Sequence, residues 1–341
     1  MKNACVVGGG SWGSAFAFHL AKLGLPVRLW IREPEICEEA VRTRQNRVFL
    51  PGKVFPQAAS FHHDLKEALA GAETVFVAVP SPYFRKIYAQ VAGFLPPETG
   101  VVSLTKGIEK HSLCRMSEII AQTPLASGQP RIGVLSGPSF SKETAEGHPT
   151  GLVIASTDHD LARRIQASLS NERWRIYTSR DVVGVEIAGA LKNIIAIAAG
   201  FSDAMNFGFN SRAALVTRGL AEMARLGTKL GARRDTFMGL AGLGDLVLTC
   251  TGTLSRNRHI GLELGRGRRL ADIVGSMREM AEGIPTTVSA RELARRENVD
   301  LPITEQVYQV LYRRKDPRRA LTDLMMRTLK DELERSGTEK P

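Results

Sequence analysis

Apolar residues in the first half of the chain come in short runs, each followed by a stretch with helical spacing. Residues 3–7 (Asn-Ala-Cys-Val-Val) are the first such run. Gly8, Gly9 and Gly10 end it. Trp12, Ala15, Phe16, His19, Leu20 and Leu23 then recur on one side of a helix that Gly24 stops. Residues 27–31 predict the next strand and 34–44 the next helix. Further strands are expected at 74–79, 100–104, 132–136, 151–155 and 173–177, with helical segments between many of them. Strands alternating with helices imply parallel pairing, with helices on the faces of the sheet.

From about residue 181 the pattern changes to helical periodicity with few strand signals. Helices are expected at 182–201, 211–229, 233–239, 256–264, 270–275, 286–296, 301–312 and 317–333. The apolar stretch 182–199 is interrupted by Glu186, Lys192 and Asn193. It therefore reads as a buried helix and not as a membrane span. The change of pattern falls near 180–190 without a flexible linker, so the two parts should pack closely, with a cleft between them as the default ligand site.

Composition changes this picture little. The chain of 341 residues carries 46 Lys and Arg against 35 Asp and Glu, a net charge of +11. Such a surplus suits nucleic acid, a membrane surface or small anions. No nucleic-acid-binding signature accompanies it, and the clusters at 233–234, 266–269 and 313–319 read as solvated faces, so no nucleic-acid partner is expected. Cys5, Cys37, Cys114 and Cys250 form no C-x-x-C pair, which argues for a reducing compartment and against a structural zinc site. No charged, apolar and small-residue signal pattern opens the sequence, so no signal peptide is expected.

The chemistry begins at the glycines. Gly8-x-Gly10-x-x-Gly13 follows a strand and opens a helix, the context that a dinucleotide fingerprint requires. The first glycine allows the tight turn, the second lets the backbone approach a pyrophosphate, and the third lets helix pack close on strand. The helix N-terminus supplies N–H donors and a favourable dipole. The chain thus reads as an α/β N-terminal Rossmann-like dinucleotide-binding domain over 1–185, followed by an all-α substrate domain over 186–341. Arg32 and Glu33 follow the second strand, where a ribose-reading residue belongs. An acid there accepts from a ribose 2′-hydroxyl and an Arg pairs with a 2′-phosphate, so NAD and NADP both stay open. Strand alternation would turn Glu33 away and leave Arg32 at the adenosine, which favours NADPH slightly.

Three strand ends, at 79–81, 103–107 and 136–140, bring hydroxyls, glycines and the ammonium of Lys106 to the carboxyl edge of the sheet, where ligands bind. Lys192 lies in a helix that is apolar nearly all round, and Lys is rarely buried unless it is paired or lines a cavity. Burial lowers an ammonium pKa toward the range useful for proton transfer. The alternative is a Lys that reaches water or pairs with Glu186. Asp245 stands in the glycine-rich segment 239–246, read as a turn. Ser255, Arg256 and Asn257 precede a helix and make a phosphate cradle. Residues 282–287 read as a loop ending in a helix cap.

Taken in order, GGGSWGSAFA (8–17), NRVFLPG (46–52), FVAVPS (76–81), SLTKGIE (103–109), LSGPSF (135–140), EIAGALKNIIAIAAG (186–200), GLAGLGDLVLTC (239–250), SRNRHIG (255–261) and EGIPTT (282–287) resemble the NAD(P)-dependent glycerol-3-phosphate dehydrogenases of the bacterial type. The resemblance implies a cytoplasmic enzyme that reversibly reduces dihydroxyacetone phosphate to sn-glycerol 3-phosphate with NAD(P)H, supplying glycerophospholipid synthesis. It puts Ser11, Trp12, Arg32, Lys106, Ser141, Arg256, Met280 and Glu282 at cofactor positions, beside the three fingerprint glycines. It puts Lys106, Gly137, Ser139, Lys192, Asp245, Ser255, Arg256 and Asn257 at substrate positions. Lys192 matches the proton donor and acceptor. Lys106 would orient the carbonyl and lower the Lys192 pKa, and Asp245 would offset their repulsion. No metal is called for, and a homodimer is left open. Two other readings use the same residues: a dehydrogenase of the same plan acting on another substrate, and a dinucleotide sensor without turnover.

Overall fold

The computed structural model describes residues 1–125, 128–329 and 331–332. Among them one sheet of eight strands runs in the order β3-β2-β1-β4-β5-β6-β7-β8. The strands are β1 Ala4–Val7, β2 Val27–Trp30, β3 Ala59–His62, β4 Thr74–Val77, β5 Gly100–Ser103, β6 Arg131–Ser136, β7 Thr150–Ala155 and β8 Trp174–Ser179. β1 pairs in parallel with β2 on one side and β4 on the other. The strand order reverses there, and the carboxyl ends of such strands diverge into a crevice. β1, β4 and β5 are buried along their whole length. Helices cover both faces, which explains why these strands read as unbroken apolar runs. The edge strand β3, Ala-Ser-Phe-His, alternates between buried and more exposed positions and gives no such run.

One junction departs from the parallel expectation: β6 and β7 pair antiparallel, and β8 then joins β7 in parallel. Only the six-residue helix Ser141–Glu146 lies between β6 and β7. That is too short to carry the chain back along the sheet, so β7 starts at the edge where β6 ended.

The helical half is built on Val182–Ala204, a 23-residue helix buried continuously from Gly184 to Ser202. Helices Gly208–Lys229, Asp245–Thr251, Arg256–Gly265, Gly283–Arg296 and Pro302–Arg313 pack around it. Among the described residues it is the one helix long and apolar enough to cross a bilayer, and 89% of its most apolar window is buried inside the protein. Three boundaries differ from expectation. Residues 240–244 coil into a π-helical turn that runs straight into Asp245–Thr251, so Asp245 opens a helix and does not sit on a turn. Residues 283–287 are already helical, because Pro285 stands in the first turn, where a missing N–H breaks no bond. The helix expected at 317–333 ends at Met325, beyond which Met326 and Leu329 are exposed; residues 330 and 333 lie outside the described residues.

Two contacts fix the halves and the site. At the seam, the buried Glu186 carboxylate accepts hydrogen bonds from Ser117 N (2.8 Å), Ser117 Oγ (2.6 Å) and Arg115 Nη1 (2.6 Å), holding the start of helix Met116–Gln122. Glu186 and Lys192 are six positions apart, about 240° around a helix, so Glu186 does not pair with Lys192. Deeper in, helices Val182–Ala204 and Arg256–Gly265 cross in backbone contact. A Cβ on Gly200 would stand 2.2 Å from the Arg258 carbonyl oxygen, and one on Gly261 would stand 2.0 Å from that of Ile197. This crossing sets how near the start of the second helix comes to Lys192. Gly261→Ala is therefore expected to overpack it and cost about 1–3 kcal/mol, read as a lower urea midpoint at unchanged slope. Gly275→Ala, where a Cβ meets nothing within 4 Å, should stay within about 0.5 kcal/mol of the parent.

Candidate active site

The turn after β1 forms the floor of the crevice. Gly8 has φ +122°, and a Cβ there would press 2.7 Å from the Ala78 carbonyl oxygen. A Cβ on Gly13 would fall 1.9 Å from the Gly8 carbonyl oxygen, so the first helix lies against the strand only because Gly13 has no side chain. Gly10 meets nothing within 4 Å and faces open space. No side chain caps helix Ser11–Lys22. A bare helix N-terminus behind an unobstructed glycine fits a pyrophosphate.

Arg32 and Glu33 both line the cleft, and they pair with each other: Arg32 Nε donates to Glu33 Oε1 at 2.9 Å, and Nη2 donates to the same oxygen. The expectation that Glu33 turns away is corrected here. β2 ends at Trp30, so pleat alternation does not reach these residues, and Glu33 is the residue that precedes helix Pro34–Thr43.

Lys106 arrives from the loop after β5, which Thr105 pins to the neighbouring strand end by donating its Oγ1 hydrogen to the Val79 carbonyl (2.6 Å). Lys106 Nζ donates to the Gly137 carbonyl (3.0 Å) and to Asp245 Oδ2 (2.6 Å). Lys192 Nζ donates to Asp245 Oδ1 (2.6 Å) and to Thr249 Oγ1 (2.8 Å). The Thr249 hydroxyl gives its own hydrogen to the Asp245 backbone carbonyl (2.6 Å), so toward Lys192 it acts as an acceptor. One carboxylate, 1% exposed, thus joins two ammoniums from opposite halves of the chain. Burial lowers the Lys192 pKa to about 8; Asp245 opposes this and Lys106 adds to it. Burial pushes the Asp245 carboxyl up, but the two ammoniums outweigh burial and hold it below the usual range. An ammonium has three hydrogens. Two of those on Lys192 are used inside the protein, and Lys192 also lines the cleft.

The opposite wall starts at helix Arg256–Gly265. Ser255 Oγ caps it, accepting from Arg258 N at 3.2 Å. Asn257 Nδ2 donates to Asn193 Oδ1 (2.8 Å), and Asn257 Oδ1 accepts from Gly283 N (3.0 Å). Arg256 Nη1 donates to Glu279 and to the Met280 carbonyl (3.1 Å). Glu282 reaches the sheet-bearing half, where its carboxylate accepts from Ser81 N (2.8 Å) and Ser81 Oγ (2.6 Å). Burial raises the Glu282 pKa, and the Ser81 donors oppose it.

A cleft of about 750 Å³ results, lined by Gly8, Gly10, Ser11, Trp12, Arg32, Lys106, Ser139, Ser141, Lys192, Ser255, Arg256, Asn257, Met280 and Glu282. Gly13, Gly137 and Asp245 do not line it. Gly137 and Asp245 lie behind the lining and meet it through the two lysines, Ser139 and Thr249. Thr249, Asn193 and Glu279 also line the cleft, and the sequence reading passed over them. Thr249 follows Asp245 by one helical turn, a spacing that is visible only once 245–251 is read as helix. Asn193 adjoins Lys192. Glu279 carries no signal in the sequence, because its partners Ser11 and Arg256 are distant in the chain.

Comparison with known proteins agrees with this geometry. The family model described as NAD-dependent glycerol-3-phosphate dehydrogenase N-terminus matches residues 3–162, and its C-terminal counterpart matches 181–322. The chain is 50% identical over 329 residues to a glycerol-3-phosphate dehydrogenase [NAD(P)+] of Syntrophobacter fumaroxidans, covering 96% of this chain and 97% of that one. It is 48% identical over 332 residues to the protein of that name from Syntrophotalea carbinolica, covering 97% and 100%. The crystal structure of glycerol-3-phosphate dehydrogenase from Coxiella burnetii superposes with a TM-score of 0.92 at 37% identity, covering 96% of this chain and 99% of that one. With an uncapped helix N-terminus behind its glycine turn, a buried Lys–Asp–Lys group and both halves matched, the chain belongs to the NAD-dependent glycerol-3-phosphate dehydrogenase family.

Proposed function

We propose that this chain catalyses the reversible NAD(P)H-linked reduction of dihydroxyacetone phosphate to sn-glycerol 3-phosphate, with Lys192 as the group that gives and takes the proton. The observation that carries this reading is the buried Lys192, its pKa lowered to about 8, beside a cleft whose far wall offers Arg256 and Asn257 at a helix start. When bound, the dinucleotide supplies a hydride to C2 of the substrate and takes one back in the reverse direction. The turn Gly8–Gly10 and the start of the first helix hold its pyrophosphate, with Trp12, Ser141, Met280 and Glu282 along the same cleft.

Ser255, Arg256 and Asn257 anchor the substrate phosphate and so fix the position of C2. During reduction the C2 oxygen gains negative charge. Lys192 and Lys106 stabilise that charge, and Lys192 passes one N–H proton to the oxygen, ending neutral. Asp245 stays ionised and holds both lysines at the reacting oxygen. In oxidation neutral Lys192 takes the hydroxyl proton. The product suits glycerophospholipid synthesis, and the unpaired cysteines, three of them buried, agree with a reducing cytoplasmic setting. Steady oxidation of NADPH or NADH on adding dihydroxyacetone phosphate tests the reading; turnover of unphosphorylated hydroxy acids in its place would overturn it.

Three outcomes are expected. Lys192→Met keeps the apolar stem and should lower turnover about a hundredfold or more while leaving NADPH affinity nearly intact. Retention of more than about a third of parent turnover in a folded variant would remove Lys192 from proton transfer. The pH dependence should have opposite sign in the two directions. Reduction needs protonated Lys192, so its kcat/KM should fall as pH rises through about 8, and oxidation should rise through the same region. Profiles flat in both directions between pH 7 and pH 9.5 would contradict the assignment.

The third outcome concerns the cofactor. Arg32 reads the adenosine 2′ position, and Glu33 competes for its guanidinium. Arg32→Ala should weaken NADPH by about tenfold or more with little effect on NADH. Glu33→Gln should shift preference toward NADPH. Equal changes for both cofactors in titrations of the two variants would place the pair away from the 2′ group.

A further inference from the structure

The segment 277–282, between helices Leu270–Ser276 and Gly283–Arg296, runs along the rim of the cleft and is tied to the sheet-bearing half at two points of different character. At one end Glu282 is gripped by the backbone N–H and hydroxyl of Ser81, after β4. A Cβ on Gly107 would come 3.2 Å from Glu282 Oε2, so this joint is also closely packed. At the other end Glu279 places one carboxylate oxygen on the Ser11 hydroxyl, at the first residue of the first helix, and the other on Arg256 Nη1, at the first residue of helix Arg256–Gly265. Glu279 and Arg256 are 26% and 44% exposed, so water competes for this pair.

We infer that Glu279 is an internal competitor for the dinucleotide: its carboxylate bridges Ser11 and Arg256 across the cleft, and cofactor entry has to displace it. The inference rests on the reading that Ser11 and Arg256 contact the cofactor. Both contact Glu279 in this arrangement, the Ser11 hydroxyl also meeting the Phe49 carbonyl at 2.8 Å, and the carboxylate stands where a phosphate oxygen would bond to Ser11 Oγ and Arg256 Nη1. Glu282 and Ser81 act as the fixed joint, and Glu279 as the contact that exchanges. A site blocked by its own side chain for part of the time has an apparent dissociation constant equal to the intrinsic one divided by the fraction of time it is open. An exposed ion pair closes such a site only modestly, so the effect belongs to affinity tuning and not to an on–off switch.

The test is a fluorescence titration of NADPH onto the parent, Glu279→Gln and Glu279→Asp, with stopped-flow association rates. Glu279→Gln keeps the shape and removes the charge. It should lower the NADPH dissociation constant about two- to fivefold, through faster association at unchanged dissociation. Glu279→Asp keeps the charge but is one methylene too short to bridge both partners, so it should tighten binding as well, by less. An unchanged or weaker affinity in Glu279→Gln overturns the inference. Parent-like affinity in Glu279→Asp overturns the bridge and leaves simple charge repulsion. Failure of the parent itself to bind NADPH or NADH would overturn the reading of the cleft as well as the inference; parent binding without a gain in Glu279→Gln removes the inference alone.

Discussion

Asp245 places one carboxylate, almost without water, between the ammoniums of Lys106 and Lys192. Three charges in so dry a place are tolerated only when each is paired and hydrogen-bonded. That requirement reaches far into the fold. Lys106 must come over the end of β5, Lys192 must stand on the buried helix, and Asp245 must open a third helix aimed at both. Loss of the carboxylate would leave two like charges facing each other. Loss of one lysine would leave the other to carry the carboxylate alone. The group therefore acts as a geometric check on the two halves: the site has its charge balance only when both are docked.

The same logic explains the two glycine-dependent contacts. On the proposed function, a phosphate anchor held a fixed distance from the proton donor calls for two helices at close and invariant spacing. Gly200 and Gly261 supply it by bringing backbone against backbone, where side chains would have given an adjustable gap. Asn257 then bonds Asn193, the neighbour of Lys192, and Gly283, the first residue of another helix. The start of helix Arg256–Gly265, the neighbour of Lys192 and the cleft rim are thus linked through short polar contacts on rigid elements, the condition under which positional precision contributes to rate.

Most of the fold was legible because its signals are local. Buried parallel strands announce themselves as apolar runs, and the glycine turn between β1 and its helix follows from the sequence spacing. The even burial of Val182–Ala204 was likewise written in its composition, and Lys192 stood out against it. What escaped depended on distance or on the reading of one segment. The reversal of β7 follows from a connection too short for a crossover. The edge strand β3 has no second covered face to mark it. Taking 239–246 as a turn hid Thr249, whose relation to Asp245 is one helical turn. Glu33 was turned the wrong way because strand alternation was carried past the last strand residue. Glu279 could not be found without coordinates, since it bonds residues from two remote parts of the chain.

The central helix also shapes how the protein is made. The helices that bury most of it follow it in the chain, the last ending at Met325. A ribosome adding about 5–20 residues per second leaves much of this apolar rod uncovered for on the order of ten seconds after it emerges. During that interval it offers the length and hydropathy of a membrane-directed segment without being one. Until its C-terminal third arrives, much of this apolar surface has no partner within the chain. Slow decoding within residues 205–325 would prolong that exposure, with no change to the finished structure.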